Sequence, residues 1–311
     1  MIISLSEQIK VIRPEAKSVF PYSNSLFVDD EVPTMIDAGS GGRAYSAVSL
    51  DRVNKLLLSH YHFDHINGYP FFKQAEVYAG IEEKWAYEDE RKFILSSGYQ
   101  HWETLMGEEK NEEWSKRFNL PDDVPVKPGF QPINLKGFFQ DGDRFITGKT
   151  AFVAIHAPGH TSGHYGFFFP NERILFSGDM DIAPRGPWYG SEYSDFEALV
   201  GSVNRLKALK PDILVTSHRK VFYNEIDSLF DDYLGIALEK ETKILQYLTV
   251  PRSIDDMAGL KFSSDSEVKN SHEMFWKKMM IMKHLTRLGN KHLVRRLSDN
   301  RYVRDREGNN E

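Results

Sequence analysis

The chain contains no cysteine, so disulfides, thiolate zinc sites, iron–sulfur clusters and cysteine nucleophiles are all excluded. Any metal must be held by nitrogen and oxygen. No stretch approaches the ~20 apolar residues of a membrane span, and the N-terminus, MIISLSEQIKVIRPEAK, lacks the apolar core and small-residue cleavage site of a secretory signal. The expectation is a cytoplasmic protein with no membrane partner. Basic residues are not in excess either: the formal net charge of -6 excludes coating a polyanion by bulk electrostatics and leaves only a local basic face. Internal repeats and low-complexity tracts are absent. With 41% hydrophobic residues, the 311-residue chain can bury one large domain, or one plus a small appendage.

Short apolar runs separated by turn residues open the chain: QIKVI, SLFVDD and PTMIDAGS read as strands. AYSAVSLDRV then reads as a helix and KLLLSH as a buried strand, an order that favours an α/β layer arrangement. From Gly80 to about Leu120 aromatic residues, among them Trp85, Phe93, Trp114 and Phe118, recur at roughly helical spacing in a charged background. This predicts a helical insertion, closed by the prolines of PDDVPVKPGFQP. Strands return in FITG, FVAIHAPG, YGFFFP and RILFSGD. The helix DFEALVGSVNRLKAL precedes a last apolar strand, PDILVTSH. Beyond Val221 the pattern turns helical, with IDSLFDDYLGIALEKETKILQYL, a near capping box at Ser253 and Asp256, and HEMFWKKMMIMKHLTRLG.

Four places put His or Asp just past an apolar strand: His60, His62, Asp64 and His65 in SHYHFDHING, His160 in APGHTSGH, Asp179 in FSGDMD, and His218 in LVTSHRK. Strand ends on one edge of a sheet converge on one cleft, so residues distant in sequence can meet there. Imidazole and carboxylate ligands suit zinc, iron(II) or manganese. Seven candidate ligands exceed the need of one tetrahedral ion, and a two-metal site with a bridging carboxylate and a shared water is the natural count. His101, His156, His272, His284 and His292 lack such a pattern and are read as structural or surface residues.

These motifs resemble the metallo-β-lactamase superfamily: His-x-His-x-Asp-His at 60 to 65, followed in order by His160, Asp179 and His218. The resemblance spans roughly residues 20 to 220, and APGHTSGH is similar to the glyoxalase II branch. It implies an αββα sandwich as catalytic domain over 1–225, with a small C-terminal helical, winged-helix-like domain over 226–311. It also implies that His60, His62 and His160 hold one metal, that Asp64, His65 and His218 hold the other, and that Asp179 bridges. Asp37 in MIDAGS matches a strand-end aspartate that supports the histidines without binding metal. His164 fits the second histidine of GHTSGH, where it either supports the ligands or stabilises the loop.

Two such ions, about 3.5–4 Å apart, acidify a bridging water and polarise an ester, thioester, lactone, amide or phosphodiester. Asp64 is placed to orient that water or shuttle its proton. The expected activity is metal-dependent hydrolysis by a metal-bound hydroxide, with two zinc ions first in line and iron or manganese as alternatives. A mono-iron oxidoreductase is the competing reading, since persulfide dioxygenases of the superfamily resemble this pattern. Flavodiiron proteins typically carry Glu where this chain has His62. The stretch DIAPRGPWYGSEYSDF follows Asp179, so Arg185, Trp188 and Tyr189 are candidates for the pocket wall. Arg219 could bind an anionic group of a small-molecule substrate. No match to the glutathione-binding residues of glyoxalase II is found. The helical insertion either lids the cleft or forms an oligomer contact.

ALEKETKILQYL, SIDDMAG and KHLTRLGNKHLV resemble the helical domain that follows the catalytic domain of β-lactamase-like protein 2. With RRLSDNRYVRD they also resemble a winged helix with a basic wing. Lys283, Arg287, Lys291, Arg295, Arg296, Arg301, Arg304 and Arg306 are the basic residues of this region. The second class of function is therefore nucleic-acid binding or cleavage, and the bland alternative is a region that packs on the core, covers the cleft or forms a homodimer. Net negative charge and the lack of a β-CASP-type nuclease insert weigh against nucleic acid.

Overall fold

The computed structural model describes residues 1–110, 119–262 and 268–305. Trp114, Phe118 and Arg306 lie outside the described residues. A first sheet contains, in spatial as in chain order, β1 (Ile2–Ser4), β2 (Ile9–Ile12), β3 (Ser25–Val28), β4 (Thr34–Ile36), β5 (Lys55–Leu58), β6 (Glu76–Gly80) and β7 (Gly137–Phe139). Its first four strands are antiparallel neighbours, and β4 to β7 run parallel. The second sheet is built from β8 (Arg144–Ile146), β9 (Ala151–His156), β10 (Tyr165–Phe169), β11 (Ile174–Phe176) and β12 (Ile213–Val215), in the order β12-β11-β10-β9-β8.

Period-two alternation fixes the layers. Ile9, Val11, Leu26, Val28, Ile36 and Leu57 point from the first sheet onto Phe152, Ala154, Phe167, Phe169, Phe176 and Val215 of the second. Their neighbours Phe27, Met35, Leu56 and Leu58 face the other way, under Tyr45 of α1 (Gly42–Tyr45) and Ile66 of α2 (Phe63–Ile66). AYSAVSLDRV is therefore mostly not a helix: α1 stops at Tyr45 and only a 3-10 turn forms at Leu50–Arg52. Ser46 Oγ bonds back to the Arg43 carbonyl, the local competition that ends short serine-rich helices.

Three short helices, α3 (Lys84–Glu88), α4 (Glu90–Ser96) and α5 (Trp102–Met106), lie in the described part of the insertion with 3-10 turns at Ile81–Glu83 and Tyr99–His101. On the far side of the second sheet, Ile155, Leu175 and Leu214 pack under α6 (Phe196–Ala208) and α7 (Ile226–Tyr247). The helix–sheet–sheet–helix layering is the αββα sandwich. In α6 the buried residues Phe196, Leu199, Ser202, Val203 and Leu206 trace one helical face, and Asp195 caps the first turn by accepting from the Ala198 N–H.

After α7 come α8 (Ile254–Ala258), α9 (Ser271–Asn290) and a hairpin of β13 (Val294–Arg296) and β14 (Tyr302–Arg304). The capping box of Ser253 and Asp256 is formed. Although the order resembles a winged helix, α9 turns inward: its Phe275 and Met279 cluster with Trp102 and Leu105 of α5.

Candidate metal centre

Each ligand-bearing segment follows the C-terminal end of a strand. His60 and His62 leave β5, with Asp64 and His65 on the turn of α2 directly after; His160 lies past β9, Asp179 past β11 and His218 past β12. His60 Nε2 and His62 Nδ1 are 3.1 Å apart, and His62 Nδ1 is 2.9 Å from His160 Nε2. Asp179 lies between the two halves of the cluster. Its Oδ2 is 3.2 Å from His160 Nε2, whereas its Oδ1 is 3.0 Å from His65 Nε2 and 3.3 Å from His218 Nε2. His218 Nε2 is also 3.4 Å from Asp64 Oδ2. His60, His62, His160 and Asp179 form one potential ligand set, and Asp64, His65 and His218 a second.

Hydrogen bonds behind the cluster set the rings. Asp37, fully buried, accepts from the Ser59 N–H and Oγ–H and from His65 Nδ1, each at 2.7 Å. His160 Nδ1 donates to the Trp188 carbonyl at 3.0 Å. Both rings, when neutral, therefore aim a lone pair at the cluster from Nε2. His164 donates from Nδ1 to the Ala157 carbonyl and accepts at Nε2 from the Asp179 N–H, at 3.0 Å in each case. Burial drives its pKa down to about 3, so it stays neutral. A Cβ on Gly178, which has φ 56°, would stand 2.5 Å from His164 Nε2; glycine is needed there for close approach.

The donor set fits divalent cations. His65 Nε2 and Asp179 Oδ1 are buried without a hydrogen bond, and imidazole lone pairs converge within 3.1 Å. Burial, reinforced by neighbouring histidines, holds His60 and His62 well below the ordinary imidazole range. Burial opposes charge on His65 as well, but the carboxylates of Asp179 and Asp37 outweigh it and raise its pKa well above that range. Asp179 is likewise kept ionised against burial by His65, His218 and His160. Nitrogen and carboxylate oxygen at such spacing are what zinc, iron or manganese bind.

A cavity of about 1210 Å³ opens over the cluster, with His62, Asp64, His160, Asp179 and His218 on its floor. Trp188 and Arg219 line it, together with residues of α4 and with Trp276 of α9. Two residues expected in its wall lie elsewhere. Tyr189 is fully buried, its hydroxyl 2.8 Å from His284 Nε2, because the chain turns it into the core beneath α9. Arg185 is exposed, two residues past Ala183 in the turn closed by the Gly186 N–H, and lies away from the cavity.

Several residues carry structural weight that sequence reasoning missed. Ser59 joins Asp37 to the His60 ring, and its place inside SHYHFDH was an available clue. Glu83 accepts from the Tyr61 N–H at 3.0 Å and the Gly163 N–H at 2.9 Å, tying together the loops of His60, His62 and His160. No local pattern marks it. Asp181 accepts from the His218 N–H and lies on the cavity wall. Trp276 sits 88 positions beyond Trp188, yet the rings are 5.6 Å apart.

A sequence profile of the Metallo-beta-lactamase superfamily matches residues 19–218. The chain belongs to this superfamily. The hydroxyacylglutathione hydrolase GloC of Haemophilus influenzae is 28% identical over 212 residues, which cover 64% of this chain and 85% of that protein. A Beta-lactamase-like protein 2 homolog from Caenorhabditis elegans is 22% identical over 235 residues, 76% of this chain and 65% of its own. Among solved structures, a metallo-beta-lactamase family protein from Thermus thermophilus superposes with a TM-score of 0.74 at 19% identity, over 97% of this chain and 100% of that one. The fold therefore extends through the C-terminal helices. As a metallo-beta-lactamase superfamily member with a His/Asp cluster of metal-binding type, the chain is a metal-dependent hydrolase.

Proposed function

We propose that the chain hydrolyses an ester or thioester at a two-metal centre, with zinc as the metal, in the cytoplasm. In this reading His60, His62 and His160 would hold one ion, Asp64, His65 and His218 would hold the other, and Asp179 would be shared between them. The observation that carries it is the Asp179 carboxylate, whose two oxygens face opposite halves of the cluster at 3.0 and 3.2 Å. Bound divalent cations supply Lewis acidity and make coordinated water acidic near neutral pH. The chain's own residues do the rest. Asp37 and the Trp188 carbonyl fix the His65 and His160 rings, and His164 fixes the backbone of Asp179. Asp64, on the cavity floor with one oxygen toward His218, would take and return a proton there. Support for an acyl substrate comes from the hydroxyacylglutathione hydrolases among its relatives.

Metal analysis of purified protein, paired with ester, thioester and lactone panels, tests the proposal. Two equivalents of transition metal and turnover lost in His62→Ala and Asp179→Ala are expected. Substoichiometric metal, or turnover unchanged in both variants, sinks it. One iron with oxygen consumption on a persulfide would move the chain to the oxidoreductase reading.

A further inference from the structure

We propose that the cavity above the metal centre is an acyl-chain cleft, which selects substrates carrying a long aliphatic or aryl acyl group over small polar ones. The inference rests on the hydrolase reading and adds what that reading leaves open, the class of group attached to the scissile bond. Water adds across the acyl carbon–oxygen or carbon–sulfur bond, giving a carboxylic acid and an alcohol or thiol.

Apolar surface begins at the candidate ligands themselves. The Trp188 ring lies 5.7 Å from that of His62 and 5.5 Å from that of His160, and Trp276 extends the same wall. Phe20 and Phe63, which also line the cavity, pair at 5.7 Å, and Ile94, another lining residue, is 61% exposed. An exposed isoleucine and an exposed phenylalanine lining one cavity, rather than scattered over the surface, mark a site for apolar matter. The volume, about 1210 Å³, exceeds the roughly 300–1,000 Å³ that serves most small ligands and is generous for a lactoyl or acetyl group.

Among the described residues, the wall offers little for recognition of a highly charged leaving group. Of its cations, Lys110 lies 3.6 Å above the Tyr99 ring, and Arg219 Nε is 3.5 Å from the Asp181 carboxylate. Both are engaged within the protein. The walls come from segments added around the four layers: Phe20 from the β2–β3 connection, Ile94 from the insertion and Trp276 from α9. Specificity is thereby separated from the centre that performs the hydrolysis.

The test uses full-length, metal-loaded protein and N-acetylcysteamine thioesters from acetyl to decanoyl, so that only the acyl chain varies. kcat/KM is expected to rise about three- to four-fold per methylene while the chain remains inside the cleft. Ile94→Asp and Trp276→Ala are each expected to lower the decanoyl-to-acetyl ratio at least about ten-fold, as loss of two buried methylenes would. The Ile94 variant keeps the test sound if the tryptophan change disturbs folding, because that side chain is largely exposed. Binding is read separately from turnover: decanoate, but not acetate, should quench the fluorescence of Trp188 and Trp276, and more weakly in Ile94→Asp. A flat chain-length profile, a preference for S-D-lactoylglutathione over decanoyl thioester, or absence of decanoate binding overturns the cleft assignment. Decanoate binding without cleavage of any thioester or of the matching esters overturns the hydrolase reading and leaves the cleft assignment standing.

Discussion

Asp37, behind the candidate metal centre, holds one of its histidine rings. Its carboxylate fixes the His65 ring through Nδ1 and the Ser59 backbone through Oδ1, which leaves His65 Nε2 facing Asp179. Truncation in Asp37→Ala frees that ring, and metal affinity should fall about 10- to 100-fold in competition with a chromogenic chelator. Equal affinity would show that the ring is held by packing alone. Glu83 gives a different prediction. Burial pushes its carboxyl up to about 7, although the Gly163 and Tyr61 N–H groups favour the ionised form. A carboxyl raised in the folded state gives stability that is fully present below its ordinary value of 4.5 and is lost as pH rises through 7. Between those limits each pH unit removes about 1.4 kcal/mol. Urea unfolding of metal-free protein should show this loss in wild type and a shallower slope in Glu83→Gln; parallel slopes would exclude Glu83 as the cause. The histidine cluster was legible as a candidate because its residue types and spacing are rare. Glu83 was not, because a buried carboxylate between two loops leaves no mark in its own neighbourhood.

Among the elements, α6 ties the outer helical layer to the His160 loop. The Asp195 side chain caps the helix while its N–H donates to the Gly159 carbonyl. Gly159, at φ 128°, lies so close that an added Cβ would be 2.4 Å from the backbone of Leu199. Gly159→Ala is expected to cost about 3 kcal/mol from strain and overpacking and to weaken metal binding by displacing His160. Asp195→Ala should cost about 1 kcal/mol with a smaller effect on metal, and denaturant midpoints together with metal titration separate the two. The strands and the long helices α6, α7 and α9 could be read from periodicity, because each buries one continuous face. The segment 44–53 could not, since Ser46 makes a local bond that competes with helix formation.

For the whole molecule the question is what the C-terminal region is turned towards. A winged helix that reads nucleic acid must present its second helix to a groove. Here α9 spends that surface on the protein itself: Phe275 and Met279 pack on α5, Lys278 Nζ donates to the Leu105 carbonyl, and Trp276 faces the catalytic cavity. The basic stretch is largely committed as well. Arg287 pairs with Glu197 and Glu241, Lys291 with Glu197, Arg295 with Asp305 and Arg301 with Asp299, while Lys283 donates to the Glu192 carbonyl. Neutralised side chains release few counterions on contact with a polyanion, and the net charge of -6 repels one at longer range. Single-stranded DNA and RNA should therefore show no retention at micromolar protein and moderate salt in a gel-shift assay. Retention that weakens steeply with added salt, and that is lost in an Arg296→Glu, Arg304→Glu double variant, would reverse this conclusion and make the hairpin a nucleic-acid contact. Composition had already set the two alternatives against each other. What weighs against the nucleic-acid reading beyond composition is the direction in which α9 faces, which is fixed by contacts with α5, some 170 residues away along the chain.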